Sequence, residues 1–565
     1  MLRSLFGAAA SVAALAVAVT AHPTASSEAS GQAVTKNRTT CATSNGAAAF
    51  KGMYQEINRP QIHYSPSAGF MNDPNGLFVD DDGLFHLYFQ YNPNQTVAGN
   101  QHWGHATSKD GYAWDNHPIA LAPEKAGEGI FSGSIVVDRN NTSGFFGDDV
   151  KPGDRVVAIY TLNTEDNQTQ DIAYSKDGGY TFTKYERNPV IDLKTTQFRD
   201  PKVFWDEQHS HWVMAVAHPQ SYEVGFYTSA DLKSWQETSR FSGGLWGYQF
   251  ECPGLVQIPI VGGPRNGEKM WTLLVSINPG APLGGSVQQY FFGDFSNGKF
   301  TANDTAVRFA DFGKDFYAAQ TYFNAPEGQA IIQGWASNWQ YTQVAPTARG
   351  DSGWRSAQSL PRTMTARWTQ YNPMYNGYQL SMEPLPFGTL AGAELAQRAT
   401  SNTTVQLKGD GAFDVRATFA VPADAKNAET ARLRVKTRGG AFLDVGALVK
   451  PGDPATIYTD RRKAGVTFAD TNSFFTDRAS VAVMPLRRDP ADAKSDQLID
   501  LHVVVDRTLT EVFAQNGTVS ASTLTYWDNN EFPSSLQIGL SSKDITLESL
   551  SVKPIASTWK RCASY

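Results

Sequence analysis

The residues of this chain that could most directly do chemistry lie in three short acidic motifs. They are MNDPNG from Met71, FRDP from Phe198 and ECPG from Glu251. Proline directly follows Asp73 and Asp200, and it follows Glu251 after one intervening residue. Since proline drives the preceding residue toward extended conformations, and Asn and Gly favour tight turns, we expect these carboxylates at strand ends or turns. Side chains at such positions can point into one shared cleft.

Two or three convergent carboxylates with aromatic residues around them are typical of a glycosidase active site. A retaining glycosidase needs an ionised nucleophile and a separate general acid, with carboxyl groups about 5–5.5 Å apart. Asp73 has hydrogen-bond donors nearby, in Asn72 and the following turn, which suits an ionised nucleophile. Glu251 follows the more apolar segment YQF, which suits a general acid, because burial raises the pKa of a carboxyl group. Asp200, beside Arg199, is expected to be ionised and to stabilise positive charge developing on a sugar. An ordinary turn is the alternative interpretation of any one of these motifs alone.

The composition restricts the class of protein. The chain has 565 residues, of which 41% are hydrophobic, so it can form two or more domains with large cores. Its formal net charge of −7 is small for this length and no long basic run is present, which argues against nucleic acid as a partner. No phosphate-binding loop or redox-cofactor fingerprint is recognisable, and we expect no cofactor.

The N-terminus indicates secretion. Arg3 precedes an apolar stretch from about Leu5 to Val19, and Val19-Thr20-Ala21 resembles a cleavage site, which predicts a signal peptide over residues 1–21. A mature hydrophobic helix is the alternative. Residues 22–50 are rich in Ala, Ser, Thr and Gly and are predicted to be a flexible leader. No later apolar run approaches the roughly 18 residues of a membrane span, so we expect an extracellular or cell-wall protein without membrane contact.

Eight N-x-S/T sequons fit the secretory route and are candidate glycosylation sites. They are Asn37, Asn94, Asn140, Asn141, Asn167, Asn303, Asn402 and Asn516. Asn140 and Asn141 overlap, so we do not expect both to carry a glycan.

Only three cysteines are present, which excludes a disulfide-dense scaffold. Cys252 lies inside the third acidic motif, whereas Cys41 and Cys562 lie near the two ends of the mature chain. We hypothesise that Cys41 and Cys562 form a disulfide that joins the termini. Two free thiols in the tails are the alternative.

Short β-branched and aromatic runs alternate with turn residues throughout the chain, and long amphipathic helices are not recognisable, so we predict an all-β fold. An internal repeat supports this prediction: ATSKDGYAW (106–114), AYSKDGGYTF (173–182) and YTSADLKSW (227–235) share one layout. Their serines, Ser108, Ser175 and Ser229, are 67 and 54 residues apart, a spacing that suits four-stranded blades of a β-propeller. Three unrelated hairpins with similar turn chemistry are the alternative.

The chain is predicted to contain two domains. We expect the propeller to span residues 51–382 and a linker, beginning EPLP and rich in Gly and Ala, to span 383–396. The remaining residues, 397–565, again alternate between strands and turns and are predicted to form a β-sandwich.

Beyond the three acidic motifs, further segments closely resemble glycoside hydrolase family 32, the β-fructofuranosidases, and in particular fungal and yeast invertases. These segments are NPNQTVAGNQHWGHATS, FSGSIVVDRNNTSGFF, QFRDPKVFW, GYQFECPGL, SINPGAP, DFGKDFYA and GWASNW, and the likeness covers about residues 57–362. A weaker likeness includes VVVDRTLTEVFAQNG, from Val503. The resemblance implies a five-bladed β-propeller followed by a β-sandwich, in agreement with the repeat.

The resemblance also implies roles for individual residues. Asp73 matches the nucleophile of the family, Glu251 the acid/base and Asp200 the transition-state stabiliser. Six further positions match residues that line the fructose pocket: Asn72, Gln90, Phe131, Ser132, Arg199 and Trp335. The implied reaction is retaining hydrolysis of terminal β-fructofuranosyl residues of sucrose and fructo-oligosaccharides through a covalent fructosyl-enzyme. Relatives form dimers through the sandwich, so a homodimer is an expectation here.

Two departures from the family pattern bear on function. The first motif usually begins with Trp but is preceded here by Phe70, and many relatives carry Trp-Gly where this chain has Ala98-Gly99. Neutral repacking is one interpretation. The other is an altered acceptor pocket that lets a sugar compete with water, which would produce short fructo-oligosaccharides. An exo-inulinase and a non-catalytic sugar-binding propeller remain the alternatives to an invertase.

The histidines and tryptophans of two motifs have other interpretations. His102 and His105 in HWGH could suggest a metal pair, but the local sequence offers no third ligand, so we predict packing rather than metal binding. Trp335 and Trp339 would share one face of a strand, which would place at least one of them beside the cleft.

Overall fold

The computed structural model describes Tyr54 and residues 56–347, 353–396, 403–492 and 494–559, all within one compact unit. The predicted signal peptide and leader, the sequons Asn37 and Asn402, and both Cys41 and Cys562 lie outside the described residues. Strands dominate the described part, which confirms the all-β prediction. No helix in that part has the length and apolar character that crossing a membrane requires.

Within the described residues, the strands from Gly69 to Pro384 form five antiparallel blades of at least four strands each. The first contains β1 (Gly69–Val79), β2 (Phe85–Asn92), β3 (His102–Ser108) and β4 (Trp114–Leu121). The second contains β5 (Gly129–Val137), β6 (Val156–Asn163), β7 (Gln168–Ser175), β8 (Thr183–Lys184) and β9 (Ile191–Asp192). The third contains β10 (Arg199–Asp206), β11 (His211–His218), β12 (Glu223–Ser229) and β13 (Gln236–Phe241).

The fourth blade contains β14 (Phe250–Val261), β15 (Lys269–Ile277), β16 (Val287–Ser296) and β17 (Lys299–Ala302). The fifth contains β18 (Tyr317–Thr321), β19 (Ile331–Trp335), β21 (Arg362–Asn372) and β22 (Tyr375–Pro384). Parallel pairing of β14 with β21 joins these two blades, and the short strand β20 (Trp354–Arg355) adds in parallel to β1. The predicted propeller is thereby confirmed.

The first strand of each blade faces the middle of the propeller. These strands, β1, β5, β10, β14 and β18, contact one another in cyclic order, and β18 contacts β1. Each has a register shift near its beginning: between Met71 and Pro74, Ile130 and Gly133, Arg199 and Lys202, Glu251 and Gly254, and Tyr317 and Gln320. Such bulges re-aim side chains and interrupt pairing. All five bulges therefore point their side chains into one central region at the same end of the propeller.

The repeated sequence motif forms the same turn in three blades. Ser108, Ser175 and Ser229 are each the last residue of the third strand of their blade. The hydroxyl of each serine donates to the aspartate two residues later, at 3.0, 2.6 and 3.2 Å respectively. Each aspartate also accepts backbone N–H groups from the turn that leads to the fourth strand. The repeat therefore marks equivalent positions in successive blades, as the spacing predicted.

The described residues from 403 to 554 form two packed sheets, which confirms the predicted sandwich. One sheet contains β23 (Thr404–Gln406), β25 (Glu429–Lys436), β26 (Phe442–Val449), β27 (Ala455–Lys463), β28 (Arg478–Val483) and β33 (Ser535–Leu540). The other contains β24 (Ala412–Val421), β29 (Leu486–Arg487), β30 (Gln497–Asp506), β31 (Leu509–Ala514), β32 (Val519–Leu524) and β34 (Thr546–Pro554). A short helix, α1 (Val466–Thr471), follows β27.

Five short 3-10 helices complete the described secondary structure: Pro152–Asp154, Pro219–Ser221, Thr342–Val344, Gly388–Leu390 and Asp528–Asn530. The segment predicted as a linker is ordered along the sandwich. Strand β22 extends through Pro384, and Ala391 and Ala396 form bridges to Ile555 and Val552.

The described sequons differ in exposure. Asn94, Asn140 and Asn303 are exposed, whereas Asn141, Asn167 and Asn516 are half-buried. The amide of Asn141 donates to the carbonyl oxygen of Phe146 at 2.8 Å, so Asn140 is the accessible member of the overlapping pair. Glycosylation at these positions stays a prediction.

Candidate active site

The three motif carboxylates meet at the propeller centre, as the sequence predicted. Asp73, Asp200 and Glu251 lie in the bulges of β1, β10 and β14, and the following prolines explain the local geometry. Proline has no N–H to donate to a sheet ladder, so pairing is interrupted beside each carboxylate. The thiol of Cys252 lies 3.4 Å from Asp73 Oδ2 and 3.6 Å from Asp200 Oδ2. One sulfur atom therefore contacts two of the three acids, and the third acid is the preceding residue.

Asp73 is buried and surrounded by donors. The Ser132 hydroxyl donates to Oδ2 at 2.7 Å, and the Asn72 amide donates to Oδ1 at 3.1 Å. Burial raises the pKa of Asp73, the hydrogen bonds from Ser132 and Asn72 lower it, and the nearby charge of Glu251 raises it again, with a net upward shift. The two donors favour the ionised form that a nucleophile requires.

Asp200 differs from the sequence-based expectation that it is ionised beside Arg199. Burial, together with the charges of Glu251 and Asp73, outweighs the effect of Arg199 and raises the pKa of Asp200 to about 7. The guanidinium of Arg199 hydrogen-bonds to Glu251 rather than to its sequence neighbour. Asp200 itself has φ 67°, in the left-handed region, and its Oδ2 accepts the backbone N–H of Cys252 at 2.9 Å. This carboxyl can therefore act as a hydrogen-bond donor as well as an acceptor near neutral pH.

Glu251 is the acid with access to solvent. Its side chain is 16% exposed, whereas Asp73 and Asp200 are buried. Arg199 Nη2 donates to Glu251 Oε1 at 3.0 Å, and the hydroxyl of Tyr317 donates to Oε2. These two contacts fix the carboxyl group at the edge of the site, where it can exchange a proton with water.

The residues expected to line the pocket have distinct environments. Gln90 is buried and donates to the carbonyl oxygen of Ile130 at 2.9 Å, which fixes the bulge that carries Phe131 and Ser132. Phe131 is half-buried. The carbonyl oxygen of Asn72 accepts a hydrogen bond from the Gln358 amide at 2.7 Å. The structure thus brings Asn72, Ser132 and Arg199 into direct contact with the carboxylates, and it uses Gln90 as a support.

An apolar cluster packs behind the carboxylates. It contains Phe70, Cys252, Tyr317, Ala318 and Trp335, with Ala98 and Trp339 packed against it. The ring of Phe70 meets Trp335 edge-on at 6.4 Å and lies 6.3 Å from Trp339. Both positions where this chain departs from the family pattern, Phe70 and Ala98, therefore lie beside the site.

Trp335 and Trp339 do not share a strand, so that prediction is wrong. Strand β19 ends at Trp335, and the chain then turns, with Asn338 Oδ1 accepting the backbone N–H of Gln340 at 3.1 Å. An asparagine that hydrogen-bonds the backbone two residues later favours a turn over a strand. The two indoles nevertheless pack together, with ring centroids 4.7 Å apart, because the turn folds Trp339 back.

Sequence reasoning missed two residues that contact the acids and one that contacts Arg199. Tyr317 donates to Glu251, Cys252 contacts both aspartates, and Gln249 accepts a hydrogen bond from Arg199 at 3.0 Å. Each lies in a segment that carries the resemblance, since Tyr317 falls in DFGKDFYA and the other two in GYQFECPGL. Local context could not assign them because their partners come from other blades.

The HWGH motif is part of the blade interior rather than of the site. His105 is buried and stacks on Tyr88 at 4.2 Å, and its Nε2 lies 3.1 Å from Nδ1 of His86. His102 Nδ1 contacts the carbonyl oxygen of Asn100 at 2.7 Å. Among the described residues, neither His102 nor His105 belongs to a group with metal-ligand spacing.

Comparison with known proteins identifies the family. The glycosyl hydrolases family 32 N-terminal domain matches residues 63–384, and the family 32 C-terminal domain matches residues 391–554. The chain is 41% identical over 515 residues to an extracellular exo-inulinase of Meyerozyma guilliermondii, covering 89% of this chain and 96% of that protein. It is 40% identical over 488 residues to invertase 2 of Saccharomyces cerevisiae, covering 83% and 89% respectively.

A solved structure shares the whole architecture. The β-fructofuranosidase from Schwanniomyces occidentalis, complexed with fructosyl-erythritol, aligns with a TM-score of 0.80 and 38% identity. The alignment covers 89% of this chain and 98% of that one. The family matches, the relatives aligned over most of their length and the converging carboxylates all indicate the same family. The chain belongs to glycoside hydrolase family 32 and is a glycoside hydrolase.

Proposed function

We propose that this protein is a secreted, retaining β-fructofuranosidase that releases terminal fructose from sucrose and related fructosides. The observation that carries the proposal is the convergence of Asp73, Asp200 and Glu251 around Cys252, with Arg199 holding Glu251. The names of its relatives, invertase and extracellular exo-inulinase, support the substrate class and the secretion. The proposed chemistry needs only carboxyl groups and water, so we expect it to use no cofactor.

In the proposed mechanism, Asp73 attacks the anomeric carbon C2 of the fructosyl unit while Glu251 protonates the departing glycosidic oxygen. The bond from C2 to that oxygen breaks, and a covalent fructosyl-enzyme forms at Asp73. Glu251, now a carboxylate, takes a proton from water, which attacks C2 and releases fructose. The partial exposure of Glu251 suits this exchange with water, and the donors on Asp73 suit a leaving carboxylate.

Asp200 is proposed to bind sugar hydroxyl groups beside C2. Because burial raises its pKa to about 7, part of the Asp200 population is a neutral acid near neutral pH. This neutral form can donate a hydrogen bond to the sugar. In the ionised fraction, the negative charge of Asp200 attracts the positive charge that develops on the sugar ring, so its stabilising effect grows toward the transition state.

The roles of Asp73 and Glu251 are separable by the choice of leaving group. Asp73→Asn should lower kcat by at least about 10³-fold on sucrose and on an activated aryl fructoside, since both need the nucleophile. Glu251→Gln should slow sucrose by about 10²–10⁴-fold but affect the aryl fructoside much less, because that leaving group departs without protonation. Circular dichroism should confirm that both variants are folded. Near wild-type turnover by Asp73→Asn, or equal losses on both substrates for Glu251→Gln, would refute the assignments.

We further propose that fructose is transferred to sugars as well as to water. Ala98 packs on the aromatic cluster beside Cys252, and its backbone N–H donates to Gln343 at 2.9 Å. A small side chain here leaves space where many relatives place an indole, and that space can hold an acceptor sugar. Chromatography of products over a range of sucrose concentrations tests this: transfer yields excess glucose and short fructo-oligosaccharides. Equal amounts of glucose and fructose at high sucrose would contradict it, and Ala98→Trp should lower the share of transfer.

An exo-inulinase is the second candidate, because the relative at 41% identity carries that name. The ratio of rates on inulin and sucrose distinguishes the two: a ratio near or above one favours the inulinase. The homodimer expected from the resemblance stays a prediction that light scattering can check.

A further inference from the structure

The hairpin between β10 and β11 brings together two histidines and a carboxylate outside the active site. Asp206 ends β10 and pairs with His211, which begins β11, and His209 lies in the connecting turn. Ser210 has φ 51°, which turns the chain back so that His209 and His211 follow each other on the same side. Their two rings lie almost parallel, at an angle of 14° and with centroids 5.6 Å apart.

One oxygen of Asp206 faces both imidazoles. Asp206 Oδ2 lies 2.7 Å from His209 Nδ1 and 3.7 Å from His211 Nε2, and all three atoms lie within 4.8 Å of one another. The other oxygen, Oδ1, accepts the backbone N–H of Gln208 at 3.0 Å, which fixes the carboxylate plane. His211 Nε2 is buried and has no hydrogen-bond partner. An unpartnered nitrogen aimed at a carboxylate oxygen is a free ligand position.

We propose that Asp206, His209 and His211 bind a divalent transition-metal ion of the zinc class. Imidazole nitrogens favour such ions, whereas Ca²⁺ and Mg²⁺ favour sets of oxygen ligands. From the usual Zn–N and Zn–O lengths, neighbouring ligand atoms around tetrahedral zinc are about 3.3 Å apart. The two distances here lie on either side of that value, so small side-chain rotations bring the three atoms into position.

The site has the features of a protein metal centre beyond its three ligands. The hydrogen bond from Gln208 orients the carboxylate, as outer contacts do in known metal sites. Binding requires a lone pair on His209 Nδ1, so this nitrogen carries no proton when the metal is bound, and protons compete with the metal for it. Affinity should therefore rise with pH. The fourth position is left to water, since the hairpin is at the surface.

The metal site is remote from the reaction. Asp200 and Asp206 lie at opposite ends of β10, about 20 Å apart at the usual rise of a strand. The metal would join the two strands of the β10–β11 hairpin and stabilise the third blade without contacting substrate. This proposal departs from the sequence-based prediction, which was that the chain has no metal site. The proposal does not depend on the activity proposed above.

Calorimetric titration of the purified full chain with Zn²⁺, after removal of metals with a chelator, tests the site. We expect one bound equivalent, together with a rise of a few degrees in Tm when zinc is in excess. His209→Gln and His211→Gln should each weaken binding at least tenfold and abolish the rise in Tm. Asp206→Asn should also weaken binding, while His102→Gln, the matched control, should bind as the wild type does.

Three results would show that these residues do not bind zinc. Wild-type zinc binding by His209→Gln or His211→Gln, equal loss in His102→Gln, or no binding by the wild-type chain at millimolar zinc would each overturn the proposal. Without zinc, the two histidine variants should have the circular dichroism spectrum and the Tm of the wild type, which confirms that they are folded. A titration at lower pH should give weaker binding, and pH-independent affinity would also contradict imidazole ligands.

Discussion

Asp73 and Asp200 share a neighbour in Cys252, yet the groups that hydrogen-bond to them differ. Asp73 receives a hydroxyl and an amide donor, whereas Asp200 receives a backbone N–H, and the thiol of Cys252 lies near both. Burial raises the pKa of both carboxyl groups; at Asp73 the donors partly offset it, whereas at Asp200 the charge of Arg199 is outweighed by burial and by the charges of Glu251 and Asp73. The site can hold three acids close together because Asp200 is partly protonated near neutral pH and Arg199 compensates Glu251.

At the residue scale, removing one donor should change the pH dependence of the reaction. Ser132→Ala removes a hydrogen bond that lowers the pKa of Asp73, so that pKa should rise and less of the nucleophile is ionised in acid. The acid limb of kcat/KM should move to higher pH, with a loss of about tenfold on that limb. Ser134→Ala is the matched control, because Ser134 hydrogen-bonds Val203 and not a carboxylate. An unshifted acid limb in Ser132→Ala would contradict this role.

At the scale of the element, the first blade carries a row of imidazoles, of which two are buried and that of His117 is half-buried. Tyr88, His105 and His117 are cross-strand neighbours on β2, β3 and β4, and His86 lies two residues before Tyr88 on the same face. Burial lowers the pKa of each histidine, to about 4 for His117. The folded blade therefore keeps these rings neutral at pH values where an unfolded chain protonates them.

Acid should accordingly destabilise this blade. The unfolded state takes up protons below about pH 6.5 and the folded state only near pH 4, so stability falls as the pH drops through that window. His117 alone should account for about 2 kcal/mol between these limits, allowing for its partial exposure. His117→Gln, which cannot be protonated, should lose less stability than the wild type between pH 7 and pH 4.5 in urea unfolding. An identical pH dependence for both proteins would show that His117 is not the titrating group.

At the scale of the whole molecule, buried charges join propeller and sandwich. Arg362 of β21 contacts Asp311 and, on β31, Glu511, each at 3.0 Å. The carboxylate of Asp506, on β30, lies 2.8 Å from Nδ1 of His63. It also accepts the backbone N–H groups of Gln61, Ile62 and His63. Although burial opposes it, hydrogen bonds to Asp506 and Glu511 raise the pKa of His63 to about 9. His63 is therefore charged at neutral pH, and the interface contains a network of buried ions of both signs.

Breaking this network should cost far more than breaking a surface pair. Glu511→Ala leaves Arg362 and His63 without a shared buried partner, and we expect a loss of about 3–5 kcal/mol in urea unfolding. Asp81→Ala is the control, since its pair with Arg139 is exposed and should contribute under about 1 kcal/mol. Equal effects of the two substitutions would mean that the interface does not depend on its charges.

The sequence alone determined the all-β class, the repeated turns and the three acidic motifs, because these follow from local rules. Ser, Asp and Gly at fixed offsets form a turn wherever they occur, and proline interrupts pairing beside Asp73, Asp200 and Glu251 alike. The resemblance added the number of blades and the roles of these residues. The carboxylates meet in one cleft because the first strands of the five blades contact one another in cyclic order.

Only the tertiary structure decided the contacts between blades. Tyr317 donates to Glu251, Cys252 contacts both aspartates, and the guanidinium of Arg199 hydrogen-bonds to Glu251 instead of Asp200. The neutral tendency of Asp200 and the position of Trp339 likewise depended on packing. The physical reason is common to all of them: dielectric surroundings and hydrogen-bond partners are properties of residues close in space, and strands from separate blades supply them.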